Sequence, residues 1–135
     1  MPKVTGHCLC GQAAFEADGD IKVVANCHCD DCQRATGAAY ATLVFMMSDD
    51  VKLSGEVGAY DHQSDSGNTL TKNFCPTCGS QVWGTNTARP GMHALRAGAI
   101  NEQELIQPGV NVFCSSAIPS TPRDEDLKAF DKMPG

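Results

Sequence analysis

Eight cysteines in 135 residues constrain this chain more than any other feature of it. Seven fall in tight groups: Cys8-x-Cys10, Cys27-x-Cys29-x-x-Cys32 and Cys75-x-x-Cys78, with Cys114 standing alone. The opening Met1-Pro2-Lys3-Val4-Thr5 runs into Gly6-His7-Cys8 without the apolar stretch of a secretory signal, so a cytoplasmic location is expected. In a reducing compartment, clustered cysteines hold metal more often than they form disulfides. Zinc–sulfur bonds of about 2.3 Å require thiolates to converge on one point, and C-x-x-C loops bring that about. Iron is the alternative metal for a four-thiolate site.

Cys75-Pro76-Thr77-Cys78-Gly79 has the form of a zinc knuckle. Pro76 fixes one φ angle, and Gly79 can take φ > 0 and turn backbone N–H groups toward the thiolates. A knuckle supplies two ligands, and a closed tetrahedral site needs two more. They come either from the Cys8/Cys10 pair or from the Cys27/Cys29/Cys32 triplet. The first partition leaves a triplet with one open position, the mark of a reactive or exchangeable zinc. Cys114 or a histidine closing that position would instead make the second site inert. The middle side chain of an extended C-x-C segment points away from its neighbours, so His28 is read as a non-ligand.

The rest of the chain reads as one domain, residues 1–135, built of short strands. Apolar residues make up 41% and aromatics 6% of the sequence, and thirteen glycines and seven prolines punctuate it. Strands are expected at 12–17, 22–26, 40–46, 51–54, 70–74, 81–85, 92–97 and 110–115, from β-branched and aromatic runs bounded by turn residues. Turns are expected at Asp18-Gly19-Asp20, Ser54-Gly55-Glu56, Ser64-Asp65-Ser66-Gly67 and Arg89-Pro90-Gly91. A short helix is expected over 30–36, stopped by Gly37. A second is expected over 101–106, with Asn101 as N-cap and Glu104 in the capping-box position, and a third over 123–130 opened by Pro122. Trp83 and Phe74 read as core. The predicted class is all-β, with metal knuckles at hairpin turns and only short helices. The net charge is −6, and the ten basic residues are scattered singly, which argues against a nucleic-acid partner. The longest apolar run, 38–47, falls far short of the ~20 residues of a membrane span.

Four motifs in order carry a resemblance that covers nearly the whole chain. They are Gly6-His7-Cys8-Leu9-Cys10-Gly11, the stretch from Asn26 to Ala38 around the triplet, Lys72-Asn73-Phe74-Cys75-Pro76-Thr77-Cys78-Gly79-Ser80, and Arg96-Ala97-Gly98-Ala99-Ile100 followed by Leu105 and Pro108. Together they resemble the glutathione-dependent formaldehyde-activating enzymes, a family that includes the centromere protein V group. The resemblance implies a β-tent fold of coiled sheets and two Zn²⁺ per chain. It implies that Cys8, Cys10, Cys75 and Cys78 hold a structural zinc, and that Cys27, Cys29 and Cys32 hold a second, catalytic one. Asn111, where the family often has His, and Ala117-Ile118-Pro119-Ser120, which lacks a Trp, depart from the pattern and bear on the substrate pocket.

The implied activity is that of a carbon–sulfur lyase of the S-(hydroxymethyl)glutathione synthase type, with glutathione and an aldehyde as partners. Three anionic ligands weaken the Lewis acidity of zinc, so thiol activation is its expected role. A non-catalytic zinc module, or a glutathione carrier or sensor, would use the same residues without turnover. Glutathione is anionic while the protein is acidic, so local cations are needed. Arg34, beside the triplet, is the first candidate for a substrate carboxylate, because its planar fork binds bidentately. Lys72 is the second and Arg96 a third. His62 and His93 are assigned to the surface or a pocket edge. Cys114 is read as a buried free thiol in a strand; Val112-Phe113-Cys114-Ser115-Ser116 also faintly resembles the catalytic segment of B-type methionine sulfoxide reductases, whose paired C-x-x-C motifs have no match here.

Overall fold

The computed structural model describes residues 3–133. Eleven strands alternate with turns: β1 (Lys3–His7), β2 (Ala14–Asp18), β3 (Ile21–Cys27), β4 (Ala41–Met47), β5 (Val51–Ser54), β6 (Gly58–Gln63), β7 (Thr69–Phe74), β8 (Gln81–Asn86), β9 (Met92–Arg96), β10 (Val110–Val112) and β11 (Lys128–Ala129). The one α-helix among the described residues, α1 (Asp30–Thr36), lies between β3 and β4. The expected all-β class is therefore observed. A three-stranded sheet, in the order β1-β2-β5, packs against an eight-stranded sheet, in the order β11-β10-β3-β4-β9-β8-β7-β6.

Alternation along the strands decides what each face carries. Val24, Val44, Leu95 and Trp83 lie opposite one another across β3, β4, β9 and β8. They meet Val4, Phe15 and Ala17 of the small sheet in the main core. Burying side chains of this size contributes roughly 1.5–3 kcal/mol each. A bulge in the β7–β8 pairing falls at Val82, so Val82 and Trp83, adjacent in sequence, are both buried. The opposite face of the large sheet carries Ala25, Cys27 and Ala41, which form a smaller cluster with Cys32 of α1 and Val112 of β10. The four expected turns fall between elements as anticipated, with Gly55, Gly67 and Gly91 at positive φ.

Three expected elements need correction. No helix forms over 101–106: only Gln103–Leu105 makes a single 3₁₀ turn. Asn101 does not cap it, because its side chain donates to Thr5 Oγ1 at 3.1 Å. No helix forms over 123–130 either; that stretch turns at Asp124–Leu127 and adds β11 alongside β10. Pro122 and the acidic run after it mimic a helix start, but only Leu127, Ala129 and Phe130 supply apolar groups, too few for a buried helical stripe. Strand β10 ends at Val112 rather than at residue 115. Phe113 takes the left-handed conformation (φ 56°), and Cys114 opens a 3₁₀ turn, half-buried rather than buried in a strand. β1 and β6 are absent from the sequence reading. β1 is interrupted by Gly6, and β6 is a polar edge strand without a hydrophobic alternation.

Candidate metal centres

The sequence leaves the partner of the Cys75/Cys78 knuckle open; the folded chain brings Cys8 and Cys10 to it. The Sγ atoms of Cys8, Cys10, Cys75 and Cys78 all lie within 4.8 Å of one another. Two tight loops aim them. After β1, Cys8 donates its N–H to Ala13 O at 2.9 Å, and after β7, Cys75 donates to Ser80 O at 2.9 Å. Gly79 takes φ 78° and donates to Cys75 O at 2.8 Å, the turn expected of a knuckle. Four thiolates around a zinc ion stand about 3.8 Å apart, the edge of a tetrahedron with bonds of ~2.3 Å. Cys8 and Cys10, and Cys10 and Cys75, are each 3.6 Å apart. The donor set therefore fits a tetrahedral metal. The Ser80 hydroxyl, followed by its backbone N–H, holds the Cys78 thiol down at about 5. Cys10 is drawn down by the Gln12 backbone, but burial and the other three sulfurs push it up to about 11.

The second group is Cys27, Cys29 and Cys32, also within 4.8 Å of one another. Cys27 ends β3, paired with Val112 of β10 and Ala41 of β4. Cys29 is the N-cap of α1, its sulfur accepting the Cys32 N–H at 3.2 Å. Gly37, at φ 72°, stops the helix. Cys32 is thus one turn from Cys29 and on the same side as Cys27. Neither Cys114 nor a histidine joins either group among the described residues. His28 points away, as expected: it is fully buried, its Nε2 3.2 Å from Asn111 Oδ1 and its ring 4.8 Å from that of Tyr40.

Without a cation, three sulfurs this close cannot all be thiolates. Hydrogen bonding to Cys29, and then to Cys32, pushes the Cys27 thiol far up. The same contacts, seen from the acceptor, hold Cys29 down at about 2. Cys32 is favoured as an anion by Cys27 but pushed up to about 11 by Cys29 and burial. These contacts favour one anion, at Cys29, over three, and a divalent ion would let Cys27 and Cys32 give up their protons as well. Both groups of cysteines could hold metal ions.

Two cations share the sheet face of the second group. Lys72 of β7 lies opposite Gly84 of β8, and Gly84 opposite Ala94 of β9. Arg96, two residues beyond Ala94, extends back over Gly84. A Cβ at position 84 would stand 3.0 Å from Arg96 Nη2 and 2.9 Å from Thr71 O, so glycine is what admits the guanidinium. Gln81 Oε1 accepts from Arg96 Nε at 3.2 Å. Lys72 is buried, at 7% exposure. Neither cation has a carboxylate within ion-pair distance among the described residues. Burial pulls Lys72 below its ordinary range, opposed by the charges of Cys32 and Cys29; burial pulls Arg96 down too, opposed by all three cysteines.

Arg34, the first substrate contact expected from sequence, lies elsewhere. It is on the exposed side of α1, in a shallow groove with Asp30, Gln33, Gly37 and Ile118. Lys72 and Arg96 lie with the cysteines. His62, assigned to a pocket edge, bridges Lys72 and Asp31; no local signal marks it, because β6 pairing with β7 brings it there. A larger groove of about 780 Å³ runs from Leu9 and Ser80 at the first cysteine group to Ala35 and Thr36 of α1, with Arg96 and Tyr40 in its wall. Arg96 thus joins the groove to the second cluster.

No helix among the described residues is long and apolar enough to cross a membrane. No curated protein matches the chain. A Rhodobacter sphaeroides protein of known crystal structure superposes with a TM-score of 0.60 at 17% identity, covering 93% of this chain and 98% of that one. At that identity the likeness is one of fold. Residues 3–116 match the family model described as glutathione-dependent formaldehyde-activating enzyme. With that match spanning most of the chain, both cysteine groups included, the protein belongs to the glutathione-dependent formaldehyde-activating enzyme family.

Proposed function

We propose that the protein is a zinc-dependent carbon–sulfur lyase that forms and breaks the adduct of glutathione with formaldehyde. Cys8, Cys10, Cys75 and Cys78 hold a structural zinc; Cys27, Cys29 and Cys32 hold a second zinc with one position open. The observation that carries this reading is the three-sulfur cluster with two cations on its sheet face, buried Lys72 and half-buried Arg96, neither with a carboxylate partner among the described residues. A metal ion in that cluster would stabilise an incoming thiol as its thiolate. The thiol sulfur bonds to the aldehyde carbon, the carbonyl π bond breaks, and the thiol proton ends on the oxygen as a hydroxymethyl group. Lys72 and Arg96 receive the negative charge that passes from sulfur to oxygen. Three thiolates, a divalent ion and these two cations leave one net positive charge, the complement of one monoanionic ligand. Arg96 also faces the groove, where the peptide arms of glutathione find room and a cation for a carboxylate. Lys72 and Arg96, the second and third of the expected substrate contacts, keep that role in this reading; Arg34, in its separate groove, does not.

The test is a calorimetric titration of glutathione into protein of known zinc content, followed by measurement of hydroxymethyl exchange by two-dimensional NMR. Saturable binding at two zincs per chain, lost in Cys29→Ser, and exchange faster than in buffer are expected. Binding without faster exchange would make the protein a carrier. Absence of binding with two zincs present would end the glutathione reading.

A further inference from the structure

His62 and Asp31 are placed as though to serve Lys72. Lys72 Nζ lies 2.6 Å from His62 Nε2, and His62 Nδ1 lies 3.8 Å from Asp31 Oδ2. The three residues come from β7, β6 and the first turn of α1, so only the folded sheet assembles them. An ammonium group has protons to give and no lone pair, so Nε2 must accept and the neutral ring carries its proton on Nδ1, toward Asp31. The imidazole is largely sheltered, its side chain 17% exposed, and Tyr60 stacks on it at 6.2 Å between ring centroids. Asp31 faces solvent, its side chain 54% exposed. Any buried ammonium needs an acceptor; what sets Lys72 apart is that its acceptor is an imidazole, with no carboxylate within ion-pair distance of Nζ among the described residues and the Asp31 carboxylate on the far side of the ring.

We propose that Asp31 and His62 form a strut that orients the Lys72 ammonium toward the open side of the Cys27/Cys29/Cys32 centre, where it receives an anionic sulfur ligand. His62 and Asp31 are positioning residues; the charge acts through Lys72. The inference rests on the reading of that centre as a thiol site, and it adds two residues that no cysteine motif contains. The strut is specific to small anionic thiolates and independent of the peptide arms of glutathione, so the two readings can fail separately.

The experiment uses the full chain with cobalt(II) in place of zinc, 2-mercaptoethanol and glutathione as separate probes, and His62→Phe, Lys72→Met, Lys72→Arg and the His62→Phe/Lys72→Met double variant. Phenylalanine keeps the stack on Tyr60 and removes the acceptor. Thiol binding is read from the sulfur-to-cobalt charge-transfer band. The His62 tautomer is read from nitrogen-15 NMR of the zinc protein. The expected results are an Nδ1–H tautomer that is lost in Lys72→Met, and roughly tenfold weaker binding of 2-mercaptoethanol in His62→Phe and Lys72→Met, the scale of one charge-assisted hydrogen bond. The double variant should be no weaker than Lys72→Met alone, because His62 acts only through Lys72, and Lys72→Arg should recover part of the affinity. An Nε2–H tautomer in the parent protein, additive losses, or a parent that binds no 2-mercaptoethanol would each overturn the strut. Strut-sensitive binding of 2-mercaptoethanol without binding of glutathione would leave the strut standing and remove glutathione as the substrate.

Discussion

Glu102 is the residue on which the attachment of β1 turns. Its carboxylate accepts the Thr5 N–H at 2.6 Å and the Thr5 hydroxyl at 2.5 Å, while Asn101 donates back to Thr5. Burial raises the Glu102 carboxyl, but the Thr5 hydroxyl and N–H outweigh it and hold the group below the usual carboxylate range. A depressed folded value means that the stabilisation is fully present above the unfolded pKa of about 4.3 and is lost as pH falls through the folded value. Glu102→Gln is therefore expected to lower stability at pH 7 by about 0.5–1 kcal/mol after solvent screening, measured by urea denaturation, and to flatten the loss of stability of the parent below pH 4. An unchanged slope in that window would remove Glu102 from the acid response. At this scale the sequence is informative wherever chemistry is local. The Cys27/Cys29/Cys32 group, the turn of His28 away from its sulfurs and the positive φ of Gly79 all follow from neighbours one to five residues away, whereas only the fold joins Cys8 and Cys10 to Cys75 and Cys78. His62 is not legible as a partner of Lys72, because strand register brings it there, and Arg96, a third candidate in the sequence, reaches the cluster only because Gly84 has no side chain.

At the scale of elements, α1 stands apart. Seven residues are too few for an isolated helix to persist in water. What holds α1 is the Cys29 cap, the Cys32 anchor in the small cluster, and the donation of Thr36 Oγ1 to Cys32 O at 2.7 Å. Removing metal from the second cysteine group should therefore loosen the helix before the sheets. Hydrogen exchange with and without a chelator is expected to show faster exchange across α1, while amides of β4, β8 and β9 stay protected. Equal loss of protection everywhere would mean that the second centre supports the whole fold. The helix was readable from its acidic first turn and Gly37. The two expected helices that did not form had start signals but no apolar stripe, and tertiary pairing captured those segments instead.

For the whole molecule, the two cysteine groups have different weight. Cys8 and Cys75 are buried in the main core between the sheets, whereas Cys27 and Cys32 belong to the smaller cluster on the outer face. Cys75→Ser is expected to release about one zinc per chain and lower the thermal midpoint by more than about 10 °C. Cys29→Ser should also release one zinc, yet shift the midpoint by only a few degrees while abolishing thiol binding. Metal analysis paired with thermal melts checks both, and equal midpoints for the two variants would contradict the division. The all-β class was legible in the spacing of turns, but the division into three and eight strands was not, since pairing partners such as β10 and β3 are remote in sequence.

That parallel pairing of β10 with β3 also bears on synthesis. All four sulfurs of the first group exist once residue 78 has left the ribosome. Cys27 is in register with Val112, and His28 donates its N–H to Val112 O at 3.0 Å, so the wall behind the second group is missing until residue 112 emerges. On a growing chain the first group of sulfurs is therefore complete while the second still lacks its backing strand, and any metal ions the two groups take would be loaded in that order.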